Sequence, residues 1–375
     1  MPSSPATSLV TWALAFVFLI GIDVALTRTS VLWGPTAFEN SGGIRTVFPQ
    51  TYQVLRKIYA PEHQADQRVA LLGNSRLALA IKGFGVESAI DELRPGRDIA
   101  VDNLAIFGAF VGDTAILARH LDALDPDLVV VTLGGAELGR AALNPNAEGP
   151  SSLLEIGFAD APIFDSSIAA RLDRWARTVW PLYRFREFLR EAILDDLLGR
   201  PDPGPPPQRF ATRMDLFRHL HGERAQSVWD AHSRFLADQT LDNFTAYVDV
   251  VGPEHLKRQR ERVRTALPID ASSSAFVTLD WFLAEMAGSD RKVVMLLMPE
   301  NPVLAQDAAK ELHRPGRLAY AAKLASELAA KHRIPVIDAR AWLPASAFLD
   351  FHHPIFEPER FEHRLAKEIL NALDS

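Results

Sequence analysis

The sequence contains no cysteine and no excess of positive charge, and each absence excludes a class of protein. Without cysteine there is no disulfide, no thiolate nucleophile and no cysteine-ligated metal. A formal net charge of −7 at pH 7 argues against a dedicated nucleic-acid binder. Hydrophobic residues make up 48% of the chain and charged residues 23%, which is ordinary for a globular protein. The length of 375 residues suits one large domain with insertions, or two domains.

A long uncharged apolar stretch lies near the start of the chain. Residues 8–22 carry no charged side chain, and the stretch continues past Asp23 to Arg28. About 20 such residues are enough to cross a bilayer of ~30 Å as a helix. The basic region and small-residue cleavage site of a signal peptide are both lacking. We predict an uncleaved membrane anchor over residues 1–28, the alternative being a buried helix of a soluble protein.

The order of apolar runs and helical segments predicts a parallel sheet. After a predicted tether over residues 29–67, short apolar runs alternate with amphipathic segments. This alternation predicts an α/β fold with one doubly wound parallel sheet, flavodoxin-like, within residues 68–375. Residues of about 140–290 break the alternation and predict a helical insertion. The apolar runs are VALL (69–72), IAVDNLAI (99–106), LVVVTL (128–133), KVVMLLM (292–298) and IPVIDA (334–339).

The predicted insertion begins with a segment rich in arginine and aromatic residues. Residues 168–198 are amphipathic and are followed by the helix-breaking sequence PDPGPPP. This pattern predicts either a helix on the membrane surface or a lid helix that buries Trp175, Leu182 and Phe185 on a core.

A serine stands at the turn that follows the first predicted strand. In VALLGNSRLALA, residues 69–80, a strand passes through Gly73, Asn74 and Ser75 into a helix. The Ser75 hydroxyl either caps this helix or acts as a nucleophile at the carboxyl end of the sheet, where α/β folds bind their ligands. The two roles are compatible, because a helix N-terminus also favours developing negative charge.

Near the C-terminus, FLDFHHP places Asp350 three residues before His353. A carboxylate that accepts from one imidazole nitrogen leaves the other nitrogen able to take a proton from a serine. This spacing therefore predicts a base and the residue that orients it. The adjacent His352 and His353 do not form a metal-binding pattern, so no metal is predicted. Acyl chemistry at serine requires no cofactor, and none is predicted.

Together, these motifs resemble the SGNH (GDSL-type) hydrolase superfamily. Its members carry a nucleophilic serine after strand one, a glycine and an asparagine of the oxyanion hole after strands two and three, and Asp-x-x-His near the C-terminus. The resemblance covers residues 69–137 and 292–370. It implies that Ser75 of GNSR is the nucleophile and that Gly108 of NLAIFGA donates a backbone N–H to the oxyanion. It also implies His353 as base, oriented by Asp350.

The third turn departs from the family pattern. The family usually has Gly-x-Asn-Asp, whereas residues 134–137 read GGAE, so Gly135 is present and the asparagine is missing. Loss of one oxyanion donor costs ~2.7–4 kcal/mol of transition-state stabilisation. The departure implies a slower enzyme, a donor supplied by Asn74 or Arg76, or an inactive scaffold. After the fourth strand, Asn301 either binds substrate or ends the strand.

The resemblance also implies a function and a location. Membrane-anchored relatives of this kind move acyl groups onto cell-surface polysaccharide or exopolysaccharide, beside a membrane-bound O-acyltransferase. We therefore expect a serine esterase or O-acyltransferase, anchored in the inner (cytoplasmic) membrane with its domain periplasmic or extracellular. Arg28 and Arg45 follow the apolar stretch and no Lys or Arg precedes it, which favours the opposite orientation. The alternative function is an SGNH-like scaffold that binds glycan or a membrane partner.

Overall fold

A computed structural model gives the fold of the chain. It describes residues 11, 14–19, 21, 49–59, 61, 63–134, 137–139, 168, 172, 175–176, 218, 221–252, 272–305, 316–349 and 352–375. The chain divides into two compact units. The larger unit comprises residues 65–115, 126–144 and 205–375, and the smaller one residues 1–64, 116–125 and 145–204.

The larger unit is built on a five-stranded parallel sheet. The strands are β1 (Gln67–Leu72), β2 (Ile99–Asn103), β3 (Leu128–Leu133), β4 (Lys292–Leu297) and β5 (Val336–Asp338). Their order across the sheet is β2-β1-β3-β4-β5, and every pair is parallel. This is the strand order of flavodoxin-like sheets. The predicted parallel α/β fold is confirmed.

Both faces of the central strands are covered. All six residues of β3 (LVVVTL) are buried, as are the last four of β1. Side chains of a strand alternate between the two faces, so a continuous buried run requires packing on both. Leu71 and Val130 belong to a core that also contains Ile90 and Phe361. The apolar runs at residues 69–72 and 128–133 therefore predicted buried parallel strands correctly.

The helices have the following bounds. They are α1 (Pro49–Tyr59), α2 (Ser75–Ala80), α3 (Gly85–Leu93), α4 (Val111–Ala118), α5 (Ala225–Ala237), α6 (Leu241–Val251), α7 (Ser274–Ala287), α8 (Arg317–Lys331) and α9 (Pro358–Asp374). The helix predicted after Ser75 ends at Ala80, because the chain turns through Gly83 with a φ of 53° before α3 begins. In α9, successive turns bury Leu365 and Ile369 in the core shared with α3.

Part of the predicted helical insertion is described. Helices α5 and α6 pack around an aromatic cluster in which Phe235, Phe244 and Tyr247 are fully buried. His232 lies in the same cluster, with its ring centroid 5.0 Å from that of Phe356. Of the segment at residues 168–198, only four positions are described, and Trp175 is 62% exposed there.

The smaller unit contains an ordered helix within the predicted tether. Helix α1 buries Val54, Leu55 and Ile58, and the Tyr59 hydroxyl hydrogen-bonds His120 Nδ1 at 2.8 Å. The predicted tether therefore contains a helix, because three apolar residues at helical spacing are enough to stabilise one when another surface covers them.

The predicted anchor lies mostly outside the described residues. Positions 14–19 are helical, and their large apolar side chains are 47–69% exposed. Within the part of the chain that the structure describes, no helix has the length and apolarity needed to cross a bilayer.

Glu362 is a buried carboxylate in helix α9. Its side chain accepts a hydrogen bond from the backbone N–H of Lys82 at 2.6 Å, just before α3. A β-carbon on Gly85 would overlap this carboxylate, so glycine there allows the close approach of the two segments. Burial raises the pKa of Glu362 above its ordinary value.

We expect Glu362→Gln to raise the melting temperature at neutral pH. With its pKa raised in the native state, Glu362 contributes stability below the unfolded pKa and loses it as pH rises through the folded pKa. Glutamine retains an oxygen for Lys82 and carries no charge. The gain over wild type should vanish below about pH 4. Thermal melts between about pH 4 and pH 8 test this, with Glu368→Gln on the same helix as control. A lower melting temperature for Glu362→Gln at neutral pH contradicts it.

Candidate active site

Ser75 lies at the carboxyl edge of the sheet, where the sequence predicted it. Strand β1 ends at Leu72, Gly73 and Asn74 form the turn, and Ser75 is the first residue of α2. The N-cap is Asn74, whose Oδ1 accepts from the Arg76 N–H at 3.0 Å. The capping role predicted for Ser75 therefore belongs to its neighbour. Ser75 itself is half-buried.

Gly73 allows the tight turn after β1. A β-carbon there would overlap Thr132 Oγ1 and lie 3.1 Å from Leu77 Cδ2. Thr132 is held in place, because its hydroxyl donates to the Leu72 carbonyl at 2.9 Å across the sheet. The sequence GNS thus depends on glycine at its first position for steric reasons.

The structure brings Ser75 and His353 together. The Ser75 Oγ atom lies 3.1 Å from His353 Nε2, although 278 positions separate the residues in the sequence. This distance is within the range for a hydrogen bond between a nucleophile and its base. The pair has the geometry for removal of the serine proton.

The loop that carries His353 is fixed at both ends. The Leu349 N–H donates to the His353 carbonyl at 2.9 Å, and Phe348 forms an antiparallel bridge with Pro354. Beyond the loop, Phe356 packs into the aromatic cluster of α5 and α6. The insertion helices therefore support the position of His353, a role that the local sequence pattern did not predict.

Two predicted site residues lie outside the described part of the chain. Asp350 is one, and its predicted role as the orienting carboxylate stays a prediction. Gly135 is the other. In the sequence, Asp350 stands between Leu349 and His353. Among the described residues, no three histidine, aspartate or glutamate side chains cluster as metal ligands do.

The turn that contains Gly108 approaches the nucleophile turn. The Ile106 N–H donates to the Gly73 carbonyl at 3.0 Å, two residues before Ser75. Gly108 has a φ of 76°, a left-handed conformation that glycine adopts without strain. The carboxylate of Asp113, fully buried in the first turn of α4, accepts from the Phe110 N–H at 2.8 Å and holds the end of this turn. These contacts position the segment from which the oxyanion N–H is predicted.

The two predicted asparagines are engaged within the protein. Asn301 is 1% exposed, and its Oδ1 accepts from the Val303 N–H at 3.0 Å, which fits the strand-ending alternative. The Asn74 amide uses both of its ends, since Nδ2 donates to Glu137 Oε1 at 2.6 Å while Oδ1 caps α2. The predictions that they bind substrate therefore find no support in these contacts.

Glu137 and Arg76 are buried polar residues that Asn74 links into one hydrogen-bond network at the turn that carries Ser75. The sequence did not predict this network. Glu137 is 7% exposed and Arg76 6% exposed. Arg76 Nη2 donates to the Pro299 carbonyl, at the end of β4. The available signal was a glutamate two positions after the pair of glycines that follows β3. Its partner cannot be read from the sequence, because Asn74 lies 63 positions away.

A charged pair lies at the end of strand β5. Arg340 forms two hydrogen bonds with the Asp338 carboxylate, at 2.9 and 2.7 Å. These bonds lower the pKa of Asp338 and raise that of Arg340. The Arg340 carbonyl also accepts from the Glu300 N–H at 3.0 Å, so the pair joins the turns after β4 and β5.

Comparisons with known proteins give no family. No protein-family model and no curated protein matches the chain. Solved structures that resemble it include a lipase/acylhydrolase from Enterococcus faecalis, with 14% identity, a TM-score of 0.36, and coverage of 81% of this chain and 96% of that one. Another is an alpha/beta hydrolase enzyme from the metagenome of Lake Arreo, Spain, with 12% identity, a TM-score of 0.36 and coverage of 83% and 97%.

A third resembling structure is a gut microbial diltiazem-metabolizing enzyme, with 13% identity, a TM-score of 0.32, and coverage of 83% of this chain and 48% of that one. TM-scores below 0.5 carry no argument about fold or function.

Proposed function

We propose that the chain is a serine esterase or O-acyltransferase of the SGNH type that works through an acyl-Ser75 intermediate. The observation that carries this proposal is the 3.1 Å contact between Ser75 Oγ and His353 Nε2 at the carboxyl edge of a parallel sheet. A serine hydroxyl is a weak nucleophile until an adjacent base takes its proton, and an imidazole nitrogen at this distance supplies that base.

The proposed reaction has two steps. Ser75 Oγ attacks an ester carbonyl while His353 Nε2 takes the hydroxyl proton, and that proton then passes to the departing alcohol oxygen. In the second step His353 takes a proton from water or from a sugar hydroxyl, whose oxygen attacks the acyl-Ser75 carbonyl. Ser75 leaves and regains the proton. Water gives an esterase, and the sugar hydroxyl gives a transferase.

We assign to backbone N–H groups the stabilisation of the negative charge that develops on the carbonyl oxygen. Those of Ser75 and Gly108 are the proposed donors, because the hydrogen bond from Ile106 to Gly73 holds the two turns together. Asp350 is proposed to orient His353 from within the same loop. An asparagine donor after β3 has no counterpart in GGAE, so two backbone donors support a slower reaction than three donors would.

The proposed substrates are acyl esters of cell-surface polysaccharide or exopolysaccharide, with a membrane-bound O-acyltransferase as partner. The proposed location is the inner membrane, anchored by residues 1–28, with the larger unit outside. The exposed apolar side chains at Leu14, Phe16 and Phe18 support an apolar environment for this segment.

The test is reaction of the purified full-length protein with a fluorophosphonate serine probe, followed by mass spectrometry of the peptides. We expect the adduct on Ser75. Reaction elsewhere, or no reaction in a protein shown by circular dichroism to be folded, would overturn the enzymatic proposal. The scaffold that binds glycan or a membrane partner would then take its place.

A further inference from the structure

The turn that presents Ser75 is held by side chains on both sides of the serine. Asn74 precedes it, and Arg76 follows it. The Asn74 amide accepts from the Arg76 N–H and donates to Glu137 Oε1. A carboxylate only accepts hydrogen bonds, so Glu137 dictates which end of the amide faces it. The orientation of the Asn74 side chain, and with it the cap of α2, is therefore set from the turn after β3.

The hydrogen bond between Asn74 and Glu137 is short and partly buried. Its length is 2.6 Å, and Glu137 is 7% exposed. Hydrogen bonds to a charged acceptor are roughly twice as strong as neutral ones, and burial reduces their competition with water. The Glu137 N–H also donates to the Gly134 carbonyl at 2.9 Å. This backbone hydrogen bond fixes the position of the Glu137 main chain.

Arg76 extends the same network to a third turn. Its guanidinium reaches the Pro299 carbonyl after β4, while its own backbone N–H is held by Asn74. A β-carbon on Gly134 would overlap Arg76 Nη1 and lie 2.9 Å from Glu137 Oε1. The polar ends of the Arg76 and Glu137 side chains therefore lie beside Gly134, in space that the β-carbon of any other residue would occupy. One network joins the turns after β1, β3 and β4.

We propose that Glu137 is a positioning residue that acts through Asn74 to hold Ser75 Oγ within reach of His353 Nε2. Misplacement of a reacting group by about 1 Å costs on the order of 10²-fold in rate. Ser75 is flanked on both sides by residues of the network, so loss of the Glu137 anchor lets this turn shift. The inference rests on the proposed function for its activity readout, and its structural readout is independent of that function.

The test compares Glu137→Ala, Glu137→Gln and a matched control, Glu87→Ala. Glu87 also uses its carboxylate to hold a backbone segment, accepting from the Val101 N–H at 2.8 Å, and it belongs to α3 rather than to the network. We expect Glu137→Ala to lower the rate of fluorophosphonate reaction at Ser75 by at least about 10-fold. Glu137→Gln, whose side-chain oxygen still accepts from Asn74, should stay within about 3-fold of wild type, as should Glu87→Ala.

The outcomes separate positioning from stability. If Glu137→Ala and Glu87→Ala lower the melting temperature alike while both react at the wild-type rate, the positioning role is overturned. If the wild type itself does not react, the proposed function fails, and hydrogen exchange decides the inference. Faster exchange over residues 73–80 in Glu137→Ala than in Glu87→Ala supports positioning, and equal exchange overturns it.

Discussion

Replacing His353 by glutamine is expected to lower the rate of fluorophosphonate reaction at Ser75 by about 10²- to 10⁴-fold. The Ser75 hydroxyl stays protonated at neutral pH unless a base accepts its proton, and His353 Nε2, 3.1 Å away, is the base in reach. Glutamine preserves much of the side-chain volume and has no basic nitrogen. The measurement is the second-order rate constant of the reaction, with Ser75→Ala as the baseline of no specific reaction.

His352 supplies the matched control for this prediction. It is the adjacent residue of the same type, and it is half-buried like His353. We expect His352→Gln to react at close to the wild-type rate. If His352→Gln and His353→Gln slow the reaction equally, the effect comes from the loop as a whole, and the assignment of His353 as base is wrong.

Replacing Gly73 by alanine is expected to lower the free energy of unfolding by about 1–3 kcal/mol and to slow the reaction at Ser75 by on the order of 10²-fold. The added β-carbon overlaps Thr132 Oγ1 and lies 3.2 Å from Leu77 Cβ. Thr132 is β-branched, buried and hydrogen-bonded to the Leu72 carbonyl, so it does not move aside easily. The turn itself must shift, and Ser75 shifts with it. Chemical denaturation and the labelling rate measure the two effects.

Gly288→Ala is the control for that substitution. Gly288 ends helix α7 with a φ of −80°, and an added β-carbon would meet its nearest atoms at 3.5 Å, an ordinary contact. We expect Gly288→Ala to change the free energy of unfolding by no more than about 1 kcal/mol. Removing the hydroxyl with Thr132→Ala in the Gly73→Ala background should restore part of the labelling rate. Wild-type stability and labelling in Gly73→Ala would contradict the steric argument.

Local patterns in the sequence predicted elements well where a single period dominated. Residues 128–133 and 292–297 are strands as predicted. Shorter patterns failed, as for α1 in the predicted tether. Its three apolar residues are buried, and residues Arg119–Ala123 of the same unit contact this helix.

The residues of the candidate site also differ in whether a local sequence pattern predicted them. Ser75 and His353 stood out because each follows a recognisable local motif. Glu137 did not, because a lone glutamate after two glycines has no meaning until its distance from Asn74 is known. The cap of α2 was assigned to Ser75 although Asn74 supplies it, since neighbouring serine and asparagine have similar capping preferences. Ser75 is already the first residue of α2, so the residue before it, Asn74, occupies the cap position.

The sequence by itself determined the parallel α/β class and the chemical types available at the turns, because strand and helix periods and the residues between them are local properties. Only the tertiary structure decided which of these residues meet. Ser75 and His353, 278 positions apart, come within hydrogen-bond distance because β1 lies inside the sheet, between β2 and β3, and α9 packs back onto α3. Contacts between distant segments depend on the packing of whole elements, and no local pattern encodes them.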